Sequence, residues 1–121
     1  MKTRDPNDPI ELYLRETASV QPLNAAEETE LFRRLGSSDN WVGDTENAAR
    51  RIIESHLRLV VSITEGHAAS SEVSELDLIQ EGNIALLKAV KTFAKNPSGP
   101  FCSYAQRYIE DAISKAVAKS K

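Results

Sequence analysis

Residues 74–95 read SELDLIQEGNIALLKAVKTFAK, and they carry the clearest structural information in the chain. Ser74, with Asp77 three positions later, predicts a helix N-cap, because a serine side chain can accept a hydrogen bond from the third helical N–H group. At 100° per residue, the small and apolar side chains opposite Asp77 form one predicted core face: Ile79, Gly82, Leu86, Ala89, Val90 and Phe93. We therefore expect an amphipathic helix that ends near Lys95, before Asn96-Pro97.

Cap signals divide the rest of the chain into further helices, with almost nothing that resembles a strand. Asp8 followed by Pro9 is typical of a helix start, because proline fits the first helical position. A second start lies at Asn24, with Glu27 three residues later. This helix has acidic residues near its N-terminal end and arginines near its C-terminal end, as the helix dipole favours, and it is expected to end before Gly36.

The apolar spacing predicts two more helices. One is expected from about Thr45 to Ile63, and the last from about Cys102 to Lys119. Residues 36–47 and 64–73 are expected to be loops. The last helix would bury one stripe formed by Ala105, Ile109, Ala112 and Ala116. The predicted fold is therefore all-α, a compact bundle of about five helices.

Composition excludes several classes of protein. The chain has 121 residues, of which 40% are hydrophobic and 27% charged, so wholesale disorder is not expected. No apolar run approaches the roughly 20 residues that a membrane span needs, and the N-terminus lacks the apolar segment of a secretory signal. A single cysteine, Cys102, excludes an internal disulfide. We expect a cytoplasmic protein with no membrane partner.

The charge balance is mildly acidic. The net charge is −3 and the pI is about 5.4. A dedicated nucleic-acid-binding protein usually has a strong basic excess, because neutralisation of phosphates provides most of its affinity. Any contact with DNA is therefore expected to be local, or to depend on a larger partner that supplies positive charge.

The side of the 74–95 helix around Asp77 is mostly polar but contains two aliphatic residues. Ile84 lies in the middle of this face and Leu87 at its edge, among Gln80, Glu81, Lys88 and Lys91. Aliphatic side chains among carboxylates and an amide are typical of a surface that docks a protein. Single exposed aliphatic residues are also common on monomers, so the spacing alone leaves both interpretations open.

Residues 76–90, LDLIQEGNIALLKAV, resemble the core-binding helix of the sigma-70 superfamily of bacterial RNA polymerase sigma factors. Residues 8–16 and 23–35 resemble the short helices that precede the sigma core domain, and residues 56–63 resemble the helix before the core-binding one. The resemblance divides the chain into an N-terminal helical hairpin (1–36), a loop (37–47) and the sigma core-binding domain (48–121). It continues more weakly into the family's promoter-melting and −10-reading helix, through Phe93, Phe101, Ser103-Tyr104-Ala105, Ile109 and Ala112-Ile113.

The resemblance implies two partners. In the family, the core-binding helix docks on a basic coiled coil of the largest subunit of core RNA polymerase, and the last helix contacts promoter DNA. An anti-sigma protein is a further candidate partner. Together with the face around Ile84, the polymerase-binding residues would be Asp77, Gln80, Glu81, Asn83, Ile84 and Leu87. The DNA-binding residues would be Phe101, Tyr104, Arg107, Tyr108, Asp111 and Lys115.

The last helix departs from the family pattern. The family has two adjacent tryptophans where this chain has Arg107-Tyr108, and an arginine and a glutamine where it has Glu110 and Asp111. Carboxylates repel phosphates, and an aspartate cannot form the bidentate contact that glutamine makes with adenine. Neutral drift would explain these changes, and so would weakened promoter opening.

Three functional interpretations follow from the resemblance and its departures. The leading one is a sigma-like transcription initiation domain that binds core polymerase and contacts promoter DNA weakly. The first alternative is a sigma-like adaptor or decoy that binds polymerase without opening promoters. The second, an independent helical DNA-binding protein, is disfavoured by the pI and by the acids of the last helix.

The remaining chemistry-bearing residues predict no catalytic or metal site. His56 is expected to be a surface histidine, His67 a loop residue with no ligand-spaced partner, and Cys102 a small buried residue. Trp41 is expected to hold its loop against the core. Asp77 and Glu81 lie on a convex helix face that offers no pocket to adjust their pKa values. We therefore expect a non-enzyme without a cofactor.

Overall fold

The computed structural model describes residue 15 and residues 21–36, 40–68 and 72–119. Within these ranges five helices follow one another: α1 (Ala25–Leu35), α2 (Asp44–Glu54), α3 (Leu57–Ala68), α4 (Glu75–Lys95) and α5 (Phe101–Lys119). The described residues contain no strand, so the prediction of an all-α bundle is confirmed. The helix predicted to begin at Asp8 lies outside the described residues, apart from Arg15, which is helical.

The predicted cap of α1 is confirmed. Asn24 Oδ1 accepts the backbone N–H of Glu27 at 2.8 Å, and Glu27 Oε1 accepts the backbone N–H of Asn24 at 3.2 Å. The helix ends at Gly36, whose φ of 64° lies in the left-handed region where glycine has no steric penalty. Reciprocal capping therefore fixes the start of α1, and glycine permits the turn that follows it.

The segment predicted as one helix from Thr45 to Ile63 is in fact two helices, α2 and α3, separated by Ser55 and His56. Ser55 Oγ and His56 Nδ1 both donate to the backbone carbonyl of Ile52, at 2.8 Å each. These bonds satisfy a carbonyl group at the end of α2, where the regular ladder stops. The predicted loop at 64–73 is also too long, because α3 continues to Ala68.

Three helices approach one another closely at Gly82 of α4. A Cβ atom built at this position would lie 2.6 Å from Val60 Cγ1 of α3 and 3.3 Å from Ile113 Cδ1 of α5. All six predicted core residues of α4 are buried. Gly82 therefore lets α3 and α5 pack directly against the backbone of α4.

The buried face of α5 differs in part from the prediction. Ala105 and Ile109 are buried as expected, but the stripe continues through Ile113 and Val117, while Ala112 and Ala116 are only half-buried. Cys102, expected to be buried, is exposed. The larger aliphatic side chains take the positions that face α3 and α4, because they remove more apolar surface from water.

An aromatic cluster ties α1 to the rest of the bundle. The ring of Phe32 lies 4.8 Å from that of Phe93 and 5.0 Å from that of Phe101. The His56 ring stands edge-on to Phe101 at 4.9 Å and is only 8% exposed, so the prediction of a surface histidine is wrong. Trp41 is half-buried against the core, as predicted, and Lys91 Nζ lies 5.4 Å from the centre of its ring.

Candidate functional site

The face of α4 around Asp77 is open to solvent. Asp77, Gln80 and Glu81 are exposed, and Ile84 in their midst is 49% exposed. Leu87 and Asn83 are half-buried at the edge of this face. The opposite side of the helix is in the core, with Leu86 and Val90 fully buried. The structure therefore brings the predicted docking residues onto one face, with an exposed aliphatic side chain among acids and an amide.

The start of α4 holds this face in position. Ser74 Oγ accepts the backbone N–H of Asp77 at 3.2 Å, as the capping pattern predicts. The Asp77 carboxylate lies in the first helical turn, where the helix dipole favours a negative charge. Leu76 is 42% exposed and was not among the predicted docking residues. On the helical wheel Leu76 falls about 20° from Leu87, a predicted docking residue, and this position was the signal that could have identified it.

The aromatic residues of α5 do not all face outward. Tyr104 and Tyr108 are half-buried, with ring centres 5.0 Å apart, and the Tyr104 hydroxyl donates to the Tyr108 hydroxyl at 3.3 Å. Phe101, predicted to contact DNA, is only 2% exposed and packs in the aromatic cluster. Its predicted role as a stacking surface is therefore corrected, because no base can reach a ring enclosed by α1 and α4.

The two tyrosine hydroxyl groups have shifted pKa values. Burial raises the pKa of Tyr104 to about 12, and the hydrogen bond to Tyr108 adds to this shift. Tyr108 accepts this hydrogen bond, which lowers the pKa of Tyr108 because a phenolate is a better acceptor than a phenol.

The acidic residues of α5 are paired within the domain. Asp111 Oδ2 lies 3.0 Å from Lys115 Nζ, one turn along the helix. Glu110 Oε1 lies 2.6 Å from Nε2 of His67 on α3. His67, predicted to lie in a loop, is instead in the last turn of α3, from which it contacts α5. Arg107 is exposed on the same helix.

A groove of about 660 Å³ connects the two predicted surfaces. Its α4 side includes Asp77, Gln80, Glu81 and Ile84, and its α5 side includes Tyr108, Asp111 and Lys115. Gly82 packs against Ile109 and Ile113, which sets Glu81 and Ile84 beside the middle of α5. Tyr104 and Arg107 lie outside this groove, on a second cleft of α5. The predicted polymerase-facing and DNA-facing residues are thus neighbours.

Across the described ranges no group of three or more His, Cys, Asp or Glu side chains could hold a metal ion. None of the helices built from these residues is long and apolar enough to cross a membrane. The described residues form a helical domain with an exposed face of acids, an amide and Ile84 on α4, and an aromatic and charged face on α5.

Comparison with known protein families identifies which helical domain this is. The model of the sigma-70 region 2 family matches residues 52–121, and that of sigma-70 factor region 1.2 matches residues 8–35. The first match covers more than half of the chain, and the chain belongs to the sigma-70 region 2 family. The resemblance inferred from residues 76–90 is therefore confirmed.

Two relatives are similar over nearly the whole chain. The RNA polymerase sigma factor SigA of a Bacillus species is 43% identical over 112 residues, and so is the SigA of Listeria monocytogenes serovar 1/2a. Each alignment covers 93% of this chain, but the chain spans only 28% of the length of either relative. Both relatives are sigma factors, and nothing in these comparisons supports the decoy alternative.

Proposed function

We propose that this chain docks on core RNA polymerase through α4 and contacts −10 promoter DNA through α5. The observation that carries the docking half is the 49% exposure of Ile84 among Asp77, Gln80 and Glu81. Partly buried aliphatic side chains with adjacent carboxylates suit a basic helical partner, which offers guanidinium groups and aliphatic stems. The basic coiled coil of the largest polymerase subunit is the partner that the family resemblance implies.

The DNA half of the proposal is supported by the outer face of α5. Tyr104 and Tyr108 present partly exposed rings side by side, and stacking on an aromatic ring contributes ~1–3 kcal/mol per base. Arg107 and Lys115 are the exposed cations nearest to them along the helix. Because Asp111 already pairs with Lys115, we expect weak binding to double-stranded DNA and stronger binding to a single strand.

Charge reversal on α4 tests the docking half. Replacing Asp77 and Glu81 together with lysine should weaken binding to core polymerase at least 100-fold, because hydrogen bonds to charged groups contribute ~1.5–3 kcal/mol each. Affinity would be measured by fluorescence anisotropy with a labelled domain and purified core enzyme. Circular dichroism should show an intact fold, since both side chains are exposed.

A matched control separates position from net charge. Glu46→Lys with Glu65→Lys makes the same change in net charge on exposed positions of α2 and α3. This variant should bind core polymerase nearly as tightly as the wild type. Equal affinity for the Asp77/Glu81 variant and the wild type would contradict docking through α4. Equal losses in both double variants would mean that only the overall charge matters.

A further inference from the structure

One polar contact joins α3 to α5 through side chains 43 residues apart in the chain. His67 Nε2, in the last turn of α3, lies 2.6 Å from Glu110 Oε1. The His67 side chain is 25% exposed and that of Glu110 is 50% exposed, so the contact lies where the core meets solvent. A carboxylate can only accept, and therefore Nε2 carries the shared proton.

Glu110 lies on the face of α5 that we propose to contact DNA. It lines the same outer cleft as Tyr104, Arg107 and Tyr108. With a neutral imidazole as its partner, the carboxylate keeps a full negative charge and repels phosphates. With an imidazolium as its partner, the pair has no net charge, and the repulsion is largely removed.

We infer that His67 sets the charge of the DNA-facing surface of α5, so that binding of promoter DNA strengthens when His67 is protonated. The inference rests on the proposed DNA contact of α5. His67 acts here through Glu110 and does not itself touch DNA, so it is a positioning residue. Approach of the DNA would in turn favour the imidazolium, because a polyanion stabilises a nearby cation.

The other charged groups on these helices are not expected to change their charge between pH 6 and pH 8. Arg107 and Asp111 line the same cleft as Glu110, and Lys115 pairs with Asp111. Glu65 lies two residues before His67 on α3, and α4 carries Glu75 and Asp77 in its first turn. Carboxyl, ammonium and guanidinium groups ordinarily keep their charge between pH 6 and pH 8, whereas an imidazole changes its charge there. The second histidine, His56, is buried against Phe101 and does not line this cleft.

The expected size of the pH effect on DNA affinity follows from the solvent exposure of His67 and Glu110. The His67 side chain is 25% exposed and that of Glu110 is 50% exposed, so water screens the ion pair and its influence on a nearby phosphate is modest. We expect the affinity for a single-stranded −10-like oligonucleotide to rise about two- to fivefold as the pH falls from 8 to 6. Raising the salt concentration should reduce this gain.

The test measures affinity by fluorescence anisotropy at pH 6 and pH 8, at constant ionic strength. The wild type should show the gain, and His67→Gln should bind at both pH values as weakly as the wild type does at pH 8. Glu110→Gln should bind tightly at both pH values. Asp111→Asn is the matched control: it removes the neighbouring carboxylate, which pairs with Lys115, and should keep the pH dependence.

The possible results distinguish a failure of the His67 inference from a failure of the proposed DNA contact of α5. Persistence of the gain in His67→Gln or Glu110→Gln would overturn the inference while leaving the DNA contact of α5 intact. Absence of binding in every variant at both pH values would contradict the DNA contact itself, and the inference with it. Docking on polymerase is measured separately, with the Asp77/Glu81 variant.

Discussion

Gly82→Ala should destabilise the domain, although alanine is the better helix former. Alanine in place of glycine inside a helix normally adds about 1 kcal/mol of stability. At Gly82, however, the new Cβ would lie 2.6 Å from Val60 Cγ1, and valine is β-branched and cannot rotate away freely. Overpacking of this kind destabilises by about 1–3 kcal/mol. We expect a net loss of up to about 2 kcal/mol in the free energy of unfolding.

Gly66→Ala is the matched control, because Gly66 is also helical but has nothing within 4 Å of an added Cβ. This variant should gain about 0.5–1 kcal/mol. Urea denaturation followed by circular dichroism measures both variants. Adding Val60→Ala to the Gly82→Ala variant should then be less harmful than Val60→Ala in the wild type, because it removes the clashing atom. A Gly82→Ala variant as stable as Gly66→Ala would mean that α3 and α4 do not pack as closely as described.

Two further variants test single hydrogen-bonding groups by the same denaturation assay. Ser74→Ala should destabilise the domain by about 0.5–2 kcal/mol, because the backbone N–H of Asp77 loses its capping hydrogen bond. An unchanged urea midpoint would show that water replaces the serine hydroxyl. Thr64 is fully buried, and its hydroxyl has no hydrogen-bond partner among the described residues. Thr64→Val should therefore stabilise the domain by about 1 kcal/mol, and a loss of stability would instead point to a bound water at this hydroxyl.

The helices with strong local signals could be predicted from the sequence. Asn24 and Ser74 each satisfy backbone N–H groups within three residues, so the starts of α1 and α4 depend on local chemistry alone. The break between α2 and α3 could not be predicted in the same way. Apolar side chains continue at helical spacing through Ile52, Ile53, Leu57 and Val60, and the break depends on how Ser55 and His56 bond to the Ile52 carbonyl.

The candidate site likewise has one part that could be predicted from the sequence and another that could not. The exposed face of α4 follows from one helix and its periodicity, and the resemblance at residues 76–90 names four of the same residues: Asp77, Gln80, Glu81 and Leu87. The pairing of His67 with Glu110 depends on how α3 packs against α5, which no local pattern contains. Phe101 was misassigned for a related reason: a match to a family motif gives a residue type and a position, but the direction of its side chain is set by the helices around it.

The groove shared by α4 and α5 has a genetic consequence. Glu81 and Ile84 line it from one side and Tyr108 and Asp111 from the other, so a substitution on either wall alters the surroundings of both proposed partners. Alleles selected for a defect in one partner's binding should therefore often carry a defect in the other. Under the proposed function, adaptation to a new promoter sequence through α5 would be constrained by polymerase binding, and compensating changes should arise on the opposite wall of the groove.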